Sequence, residues 1–412
     1  MKYKFIQRLA LTASALMISG SAFAQVKIAY IDPLSGYFAN VGEAGLKGFH
    51  EAAEILVNQK GGIKGQKLEF VGFDNKGSPK ESLIQLQKAI DQGFRFITQG
   101  NGSGAATALI GAVNKWNARN PDKTVLFFNY AAVDPRLTNE NCSFWHFRFD
   151  ANSAMKMEAI TNFMETDKKI KKVFIIGQDY SHGHQVAKYA KEMLTAKRKD
   201  VKIVGEALHP IGKVKDFAPY IAKIKASGAD TVITGNWGND LSLLIKASKD
   251  AGLKARFFTY YAGGLGTPRA MGAAAEGKVI QLTEWHMNVP TKNTEQFAND
   301  FNKKNPGIWF YYMRVNNMVQ MVAKAMNEAK GLDPRDVAYA LEDMRMPVDT
   351  GEVWMRKSDH QAMQPLFISV FTKAGGKGVK YDSEDTGYGW KTLASISQRD
   401  SYLPNTCVME RP

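Results

Sequence analysis

The sequence predicts an α/β fold built as two successive units, each a parallel sheet with helices on both faces. Three observations carry that expectation. Short apolar runs alternate with longer segments whose apolar residues recur at helical spacing, the pattern of strand–helix–strand units. The alternation restarts near residue 150 without obvious sequence repetition. At roughly 150 residues per domain, 412 residues make two or three domains, and 36 glycines suit a fold with many strand-to-helix turns.

In the first unit, Val26–Ile31 reads as a strand ending at Asp32-Pro33. Gly42 to Val57 reads as a helix with Leu46, Phe49, Ala53 and Leu56 at helical spacing, stopped by Gly61-Gly62. After a strand at Leu68–Phe73, Ser78-Pro79 starts a helix with a cap and a first-turn proline. That helix is expected to bury Leu83, Leu86 and Ile90. A strand at Phe94–Thr98, a helix at Ala105–Asn117 and a strand at Val125–Phe128 complete the unit. The second unit reads as helix Met155–Thr166, strand Val173–Ile176, helix Gln185–Ala196, strand Val201–Ala207, helix Phe217–Ser227, strand Thr231–Thr234, helix Leu241–Ala251 and strand Phe257–Tyr260. A third stretch adds a strand at Val279–Thr283, helices near 294–304, 310–329 and 334–343, and strands at Val353–Arg356 and Leu366–Phe371. From Gly375 the chain reads as irregular.

Composition narrows the function. Hydrophobic residues at 44% and charged residues at 23% are the balance of a soluble globular protein. Two cysteines exclude a disulfide-rich scaffold and a multi-cysteine zinc cluster. Residues 1–24 read as a secretory leader: Lys2, Lys4 and Arg8 precede an apolar stretch at 9–18, and Ala22-Phe23-Ala24 is a small-x-small cleavage site ahead of Gln25. The apolar stretch is about half the ~20 residues that span a bilayer. The mature chain is therefore expected to be cut after Ala24 and exported. Losing the leader takes the formal net charge from +14 to +11 (14 − 3). The excess sits in clusters such as Lys168, Lys169, Lys171 and Lys172, which flank apolar runs as solvated helix ends do. No nucleic-acid motif accompanies them, so no nucleic-acid partner is expected. The positive field favours an anionic ligand.

Gly100-Asn101-Gly102-Ser103-Gly104-Ala105 follows a strand and opens a helix, imitating a dinucleotide fingerprint. It lies on the third strand of its unit rather than the first, and the acid about 20 residues on, Asp122, is not at a strand end. No cofactor is expected; what survives is backbone N–H groups at a helix start, suited to a carboxylate or polar head. Ser181-His182-Gly183-His184 holds two imidazoles without the spacing or further ligands of a zinc site, so no metal is expected and one of them reads as a pocket residue. Asp359-His360 lacks a nucleophile, and no catalytic motif appears. Nothing in these motifs argues for an enzyme. Met313, Met318, Met321 and Met326 read as core filling on one long helix.

Asn58-Gln59-Lys60-Gly61-Gly62-Ile63-Lys64-Gly65, with Leu68 and Asp74, closely resembles a motif of periplasmic solute-binding proteins of the leucine/isoleucine/valine-binding type, which serve ABC transporters. Ile28-Ala29-Tyr30 through Leu34-Ser35-Gly36 looks like that family's first strand and loop. Asp216-Phe217 through Ser227-Gly228-Ala229-Asp230-Thr231-Val232, Ala251-Gly252-Leu253 and Ala275-Glu276-Gly277 also match. The resemblance spans about residues 26–373. It implies a type I periplasmic binding protein: two doubly wound parallel-sheet lobes joined by a three-segment hinge, closing on a small-molecule ligand in the cleft and delivering it, as a monomer, to the membrane subunits of an ABC permease. Lobe I would comprise 25–149 and 285–357, and lobe II 150–284 and 358–412 with a C-terminal extension. The crossings would fall near 148–152, 282–286 and 355–362.

The resemblance also implies a ligand set. Asn101-Gly102-Ser103 looks like the loop whose serine holds the ligand carboxylate. Ala131-Ala132-Val133 resembles the next loop, with Val133 where the family has a threonine. His182 resembles a second-lobe tyrosine position, and Trp237 falls at or next to a later aromatic position. Tyr261 resembles the acidic residue that accepts the ligand ammonium. Tyr37 and Phe38 occupy the loop bordering the cleft. The family's first-lobe disulfide positions look like Gly77 and Gly102 here. With that acid replaced by a neutral tyrosine, an aromatic acid or other solute without an α-ammonium is expected, unless Asp32, Asp179 or Asp240 substitutes. The alternatives are a branched-chain amino acid proper and a ligand-sensing receptor lobe pair. In an exported chain, Cys142 and Cys407 are expected to pair with each other; the alternative is two buried free thiols.

Overall fold

The computed structural model describes residues 25–412; the leader and its cleavage site lie outside the described residues. The chain begins β1 (Gln25–Asp32), α1 (Ala39–Leu56), β2 (Lys67–Asp74), α2 (Pro79–Asp91), β3 (Phe96–Gln99), α3 (Ser103–Arg119), β4 (Leu126–Asn129) and β5 (His146–Arg148). It continues α4 (Ser153–Thr166), β6 (Lys172–Gln178), α5 (Ser181–Lys197), β7 (Lys202–His209), α6 (Ala218–Ala226), β8 (Thr231–Thr234), α7 (Gly238–Asp250), β9 (Arg256–Thr259), α8 (Thr267–Met271) and β10 (Val279–Thr283). The last third is α9 (Asn293–Lys304), α10 (Met313–Glu328), α11 (Pro334–Leu341), β11 (Arg345–Val348), β12 (Gly351–Arg356), β13 (Gln361–Met363), β14 (Leu366–Lys373) and β15 (Tyr388–Ile396).

These strands form two sheets, ordered β11-β12-β13-β5-β4-β3-β1-β2 and β15-β14-β10-β9-β8-β6-β7. The strands contributed by each βαβ unit run parallel, and the late strands close one edge with antiparallel partners: β11 and β12 in the first sheet, β14 and β15 in the second. In both sheets the first strand of the unit lies inside its order, β1 between β2 and β3, β6 between β7 and β8. That reversal opens a crevice at the carboxyl ends of the strands, where open α/β sheets bind ligands.

Three crossings connect the sheets. The chain leaves the first sheet after Arg148, returns after Thr283 and leaves again after Met363. The third lies later than the 355–362 expected from sequence, because β13 pairs with β12 and β5; residues 361–363 belong with the first sheet, not the second. Two further expectations are corrected. Leu83 faces solvent at 41% exposure, and α2 buries Ser82, Leu86, Ala89 and Ile90 instead. The tail is not irregular throughout, since β15 pairs along the whole of β14. Ser78 caps α2 by accepting the Glu81 N–H, and the α10 methionines are buried in a hydrophobic core against the first sheet.

Past β15 the tail returns to the first sheet. Cys407 is disulfide-bonded to Cys142, their Cα atoms 5.7 Å apart across a separation of 265 residues. Arg411 Nε donates to Glu342 Oε1 at 3.0 Å. No helix among the described residues is long and apolar enough to cross a membrane.

Candidate ligand-binding site

Between the two sheets lies a small, partly enclosed cavity. Most of its lining follows the carboxyl ends of strands: Gly100 to Ser103 after β3, Ala131 to Val133 after β4, Tyr180 and His182 after β6, Trp237 after β8 and Tyr261 after β9.

The first-sheet wall is held from below by Asp32. Its carboxylate accepts the N–H groups of Gly100 at 3.1 Å and Asn101 at 2.9 Å, which fixes the turn into α3. Asn101 Nδ2 donates to Tyr130 Oη at 2.8 Å, and Tyr130 pairs with Tyr30 at 2.9 Å. Gly100 must be glycine here, because a Cβ would meet the Tyr130 ring at 2.6 Å. Burial raises Asp32 to about 7 despite those N–H donors. Ser103 opens α3, buried; its Oγ accepts the Asp134 N–H at 3.3 Å and has its own proton to give.

The second-sheet wall is aromatic. His182 Nδ1 lies 2.6 Å from Ser153 Oγ and Nε2 lies 3.2 Å from Gly235 O, so both ring nitrogens are engaged. Burial lowers its pKa to about 4, which keeps the ring neutral. Trp237 Nε1 donates to Tyr180 Oη at 2.7 Å. Tyr261 lies over Lys156, whose Nζ is 4.8 Å from the ring centre.

Arg314, in the first turn of α10, also lines the cavity together with Tyr311 and Tyr312. It is buried, donates Nη1 to Glu284 at 2.6 Å, and lies 3.5 Å from Asp150 through Nε. Lys156 Nζ donates to the same Asp150 carboxylate at 2.9 Å. Burial would push Glu284 up, but Arg314 and Lys156 hold it below the usual carboxylate range. Asp150 and Glu284 sit in the first and second crossings, so two cations and two carboxylates tie the crossings together. Among the described residues no Asp or Glu lines the cavity, and Arg314 is the charged side chain that does.

The sequence-expected residues divide accordingly. Asn101, Gly102, Ser103, Ala131, Ala132, Val133, His182, Trp237 and Tyr261 are brought together at the cavity. Tyr37 and Phe38 are not on it. Tyr37 Oη donates across the cleft to Asp240 at 3.0 Å, Asn239 Nδ2 donates to Tyr37 O at 3.0 Å, and the Phe38 ring stacks on Trp237 at 4.3 Å. None of the three candidate acids faces the cavity. Asp32 lies beneath the first wall, Asp179 is exposed beside His184, and Asp240 is held by Tyr37, Gln178 and Gly212. Among the described residues no cluster of His, Cys, Asp and Glu suits a metal. Sequence reasoning missed Tyr180, Gly264, Leu265, Tyr311, Tyr312 and Arg314. Tyr311-Tyr312 directly before a helix with an arginine in its first turn was the available signal.

A sequence profile of the periplasmic binding protein family matches residues 25–390. The chain belongs to that family. Leu/Ile/Val-binding protein homolog 4 of Brucella abortus (strain 2308) is 32% identical over the full length of both chains. The closed leucine-, isoleucine-, valine-, threonine-, and alanine-binding protein of Brucella ovis superposes with a TM-score of 0.83 at 32% identity, covering 94% of this chain and all of that one. An ABC transporter solute-binding protein of Rhodopseudomonas palustris BisB5, in complex with 3,4-dihydroxy benzoic acid, shares the fold with a TM-score of 0.79 at 20% identity, covering 91% of this chain and 98% of that one.

Proposed function

We propose that this periplasmic binding protein is the monomeric, leader-processed substrate-binding component of an ABC transporter, and that its cargo is a small carboxylate without an α-ammonium, in particular an aromatic acid. The observation that carries the reading is the charge of the cavity surface. A buried ammonium needs a negative partner, because an unpaired buried charge is very costly. The cavity offers instead the Arg314 guanidinium, the Ser103 hydroxyl and backbone N–H groups at the start of α3, all suited to an anion. Five aromatic rings, those of Tyr180, Trp237, Tyr261, Tyr311 and Tyr312, suit a flat body. The fold does hold such an acid in the Rhodopseudomonas protein.

Binding closes the two lobes about the three crossings, with Ser103 on one side and His182, Trp237 and Tyr261 on the other. A ligand drives this only through its extra contacts in the closed form.

A second reading, a branched-chain amino acid, rests on the 32% identity to proteins named for those ligands. A thermal-shift panel separates the two. A ligand at 100 times its Kd stabilises by about 2.7 kcal/mol, and benzoate-class acids should raise the melting temperature. A rise with leucine, isoleucine or valine, and none with the acids, would overturn the proposal.

A further inference from the structure

Glu384 lies on the loop between β14 and β15, in the stretch that reads as irregular from sequence, and only 2% of it is exposed. Its carboxylate is divided between two backbone donors: Oε1 accepts the Gly266 N–H at 2.6 Å, and Oε2 accepts the Arg269 N–H at 2.9 Å. Its carbonyl accepts from Arg269 Nη2 at 3.3 Å. Glu384 and Asp385 both hold left-handed backbone, φ +60° and +56°, which is unusual for two consecutive residues with side chains. Strain of this kind persists where the surroundings over-determine it.

Gly266 directly follows Gly264 and Leu265, and those two line the cavity. Little else fixes that wall. The Gly264 N–H donates to Tyr261 O, the Thr267 N–H donates to Gly264 O, and Ser242 Oγ meets Thr267 Oγ1 at 3.1 Å. The fit is close: a Cβ on Gly263 would meet Gln281 Oε1 at 2.6 Å and the Tyr311 ring at 2.9 Å. The same loop is also tied to the second crossing, where the Tyr381 N–H donates to Asn288 Oδ1 at 2.7 Å and Asn288 Nδ2 returns a bond to Tyr381 O at 2.8 Å.

We propose that Glu384 is a positioning residue for solute binding: it fixes the Gly264–Leu265 wall against the Tyr311 ring, and thereby sets affinity without touching the ligand. The inference rests on the reading of the interlobe cavity as the ligand site. An anchor that distributes one carboxylate over two amides is partly replaceable by an amide side chain, which keeps one acceptor oxygen, and not by alanine.

The test combines E384A and E384Q with two readouts. Hydrogen exchange of the ligand-free protein reports the wall directly: E384A should speed exchange at Gly266 and Arg269, and E384Q should protect one of the two. Calorimetry with benzoate, 4-hydroxybenzoate and L-leucine then reports the site. Whichever probe binds the wild type best should bind E384A about tenfold more weakly, with E384Q between them. Unchanged exchange at both amides in E384A, or an unchanged Kd, would overturn the proposal. Leucine as the best wild-type probe would defeat the aromatic-acid reading and still decide Glu384 on leucine. If E384A does not fold, E384Q decides: wild-type exchange and Kd in that variant count against the anchor.

Discussion

The two walls of the cavity are built in different ways. The first-sheet wall is mostly backbone and small side chains, with Asn101, Ser103 and Val133 among them, set by a carboxylate hidden beneath it. The second-sheet wall is a layer of rings, set by hydrogen bonds among Tyr180, Trp237, His182 and Ser153. Small residues let polar N–H groups approach a ligand head, and rings cover an apolar body. Arg314 stands at their junction, shared with the ion pairs that span the crossings. The difference implies that a change in one wall alters how the head is held, a change in the other alters how the body is covered, and a change at Arg314 alters both and the fold.

The largest effect should come from that junction. Arg314→Met removes the guanidinium that bonds Glu284 and leaves both carboxylates to Lys156, and loss of one partner from a buried pair costs about 3–5 kcal/mol. Urea unfolding should show the loss; a change below about 1 kcal/mol would mean the network is not load-sharing.

The walls should also part in their response to pH. Asp32, beneath the first wall, has a folded pKa of about 7, above its ordinary 3.8. The folded protein takes up this proton first, so its contribution to stability is present at low pH and is lost as pH rises through about 7. His182, in the second wall, has a folded pKa of about 4, below its ordinary 6.5. Its contribution is present above 6.5 and is lost as pH falls towards 4. Each is worth about 1.4 kcal/mol per pH unit inside its window. Between pH 4 and 6.5, His182→Gln should remove a stability slope that rises with pH, and Asp32→Asn one that falls. Parallel pH–stability curves for either variant and the wild type would contradict the corresponding assignment.

Smaller effects should separate body from head. Trp237→Ala removes a ring and its Phe38 stack, and should cost about 2 kcal/mol of affinity for an aromatic acid. Ser103→Ala should cost about 1 kcal/mol and act alike on all carboxylates. Calorimetry across benzoate, 4-hydroxybenzoate and an aliphatic acid shows both patterns. Equal loss for ring and chain ligands in Trp237→Ala would erase the distinction between the walls. Tyr37→Phe should matter least, about 0.5–1 kcal/mol, because Asp240 keeps Gln178 and Gly212 as donors. It should raise the dissociation rate, measured by stopped flow, more than it alters stability.

How much of this was legible in the sequence follows the same division. The first wall announces itself locally, because a glycine-rich turn between a strand and a helix has one main structural meaning. The helices and central strands are legible too, since apolar spacing is a short-range signal. Arg314 and Tyr312 were not, because an arginine in the first turn of an amphipathic helix looks like a solvated end until Glu284 and Asp150 arrive from two distant crossings. β5, β11, β13 and β15 were missed for a related reason. Each is short or polar-faced, and each is a strand because neighbouring strands pair with it. Tyr37 and Phe38 were placed on the right loop, but whether that loop meets ligand or the opposite lobe depends on how the two sheets face each other.

On the proposed reading, the cavity takes a carboxylate and refuses an α-ammonium. That reading is tested most directly by calorimetry with pairs that differ only in that group: 4-methylpentanoate against L-leucine, and 3-phenylpropanoate against L-phenylalanine. In each pair the acid without the ammonium should bind more tightly, by tenfold or more, which is about 1.4 kcal/mol and well under the cost of burying an unpaired ammonium. Tighter binding of L-leucine than of 4-methylpentanoate would contradict it.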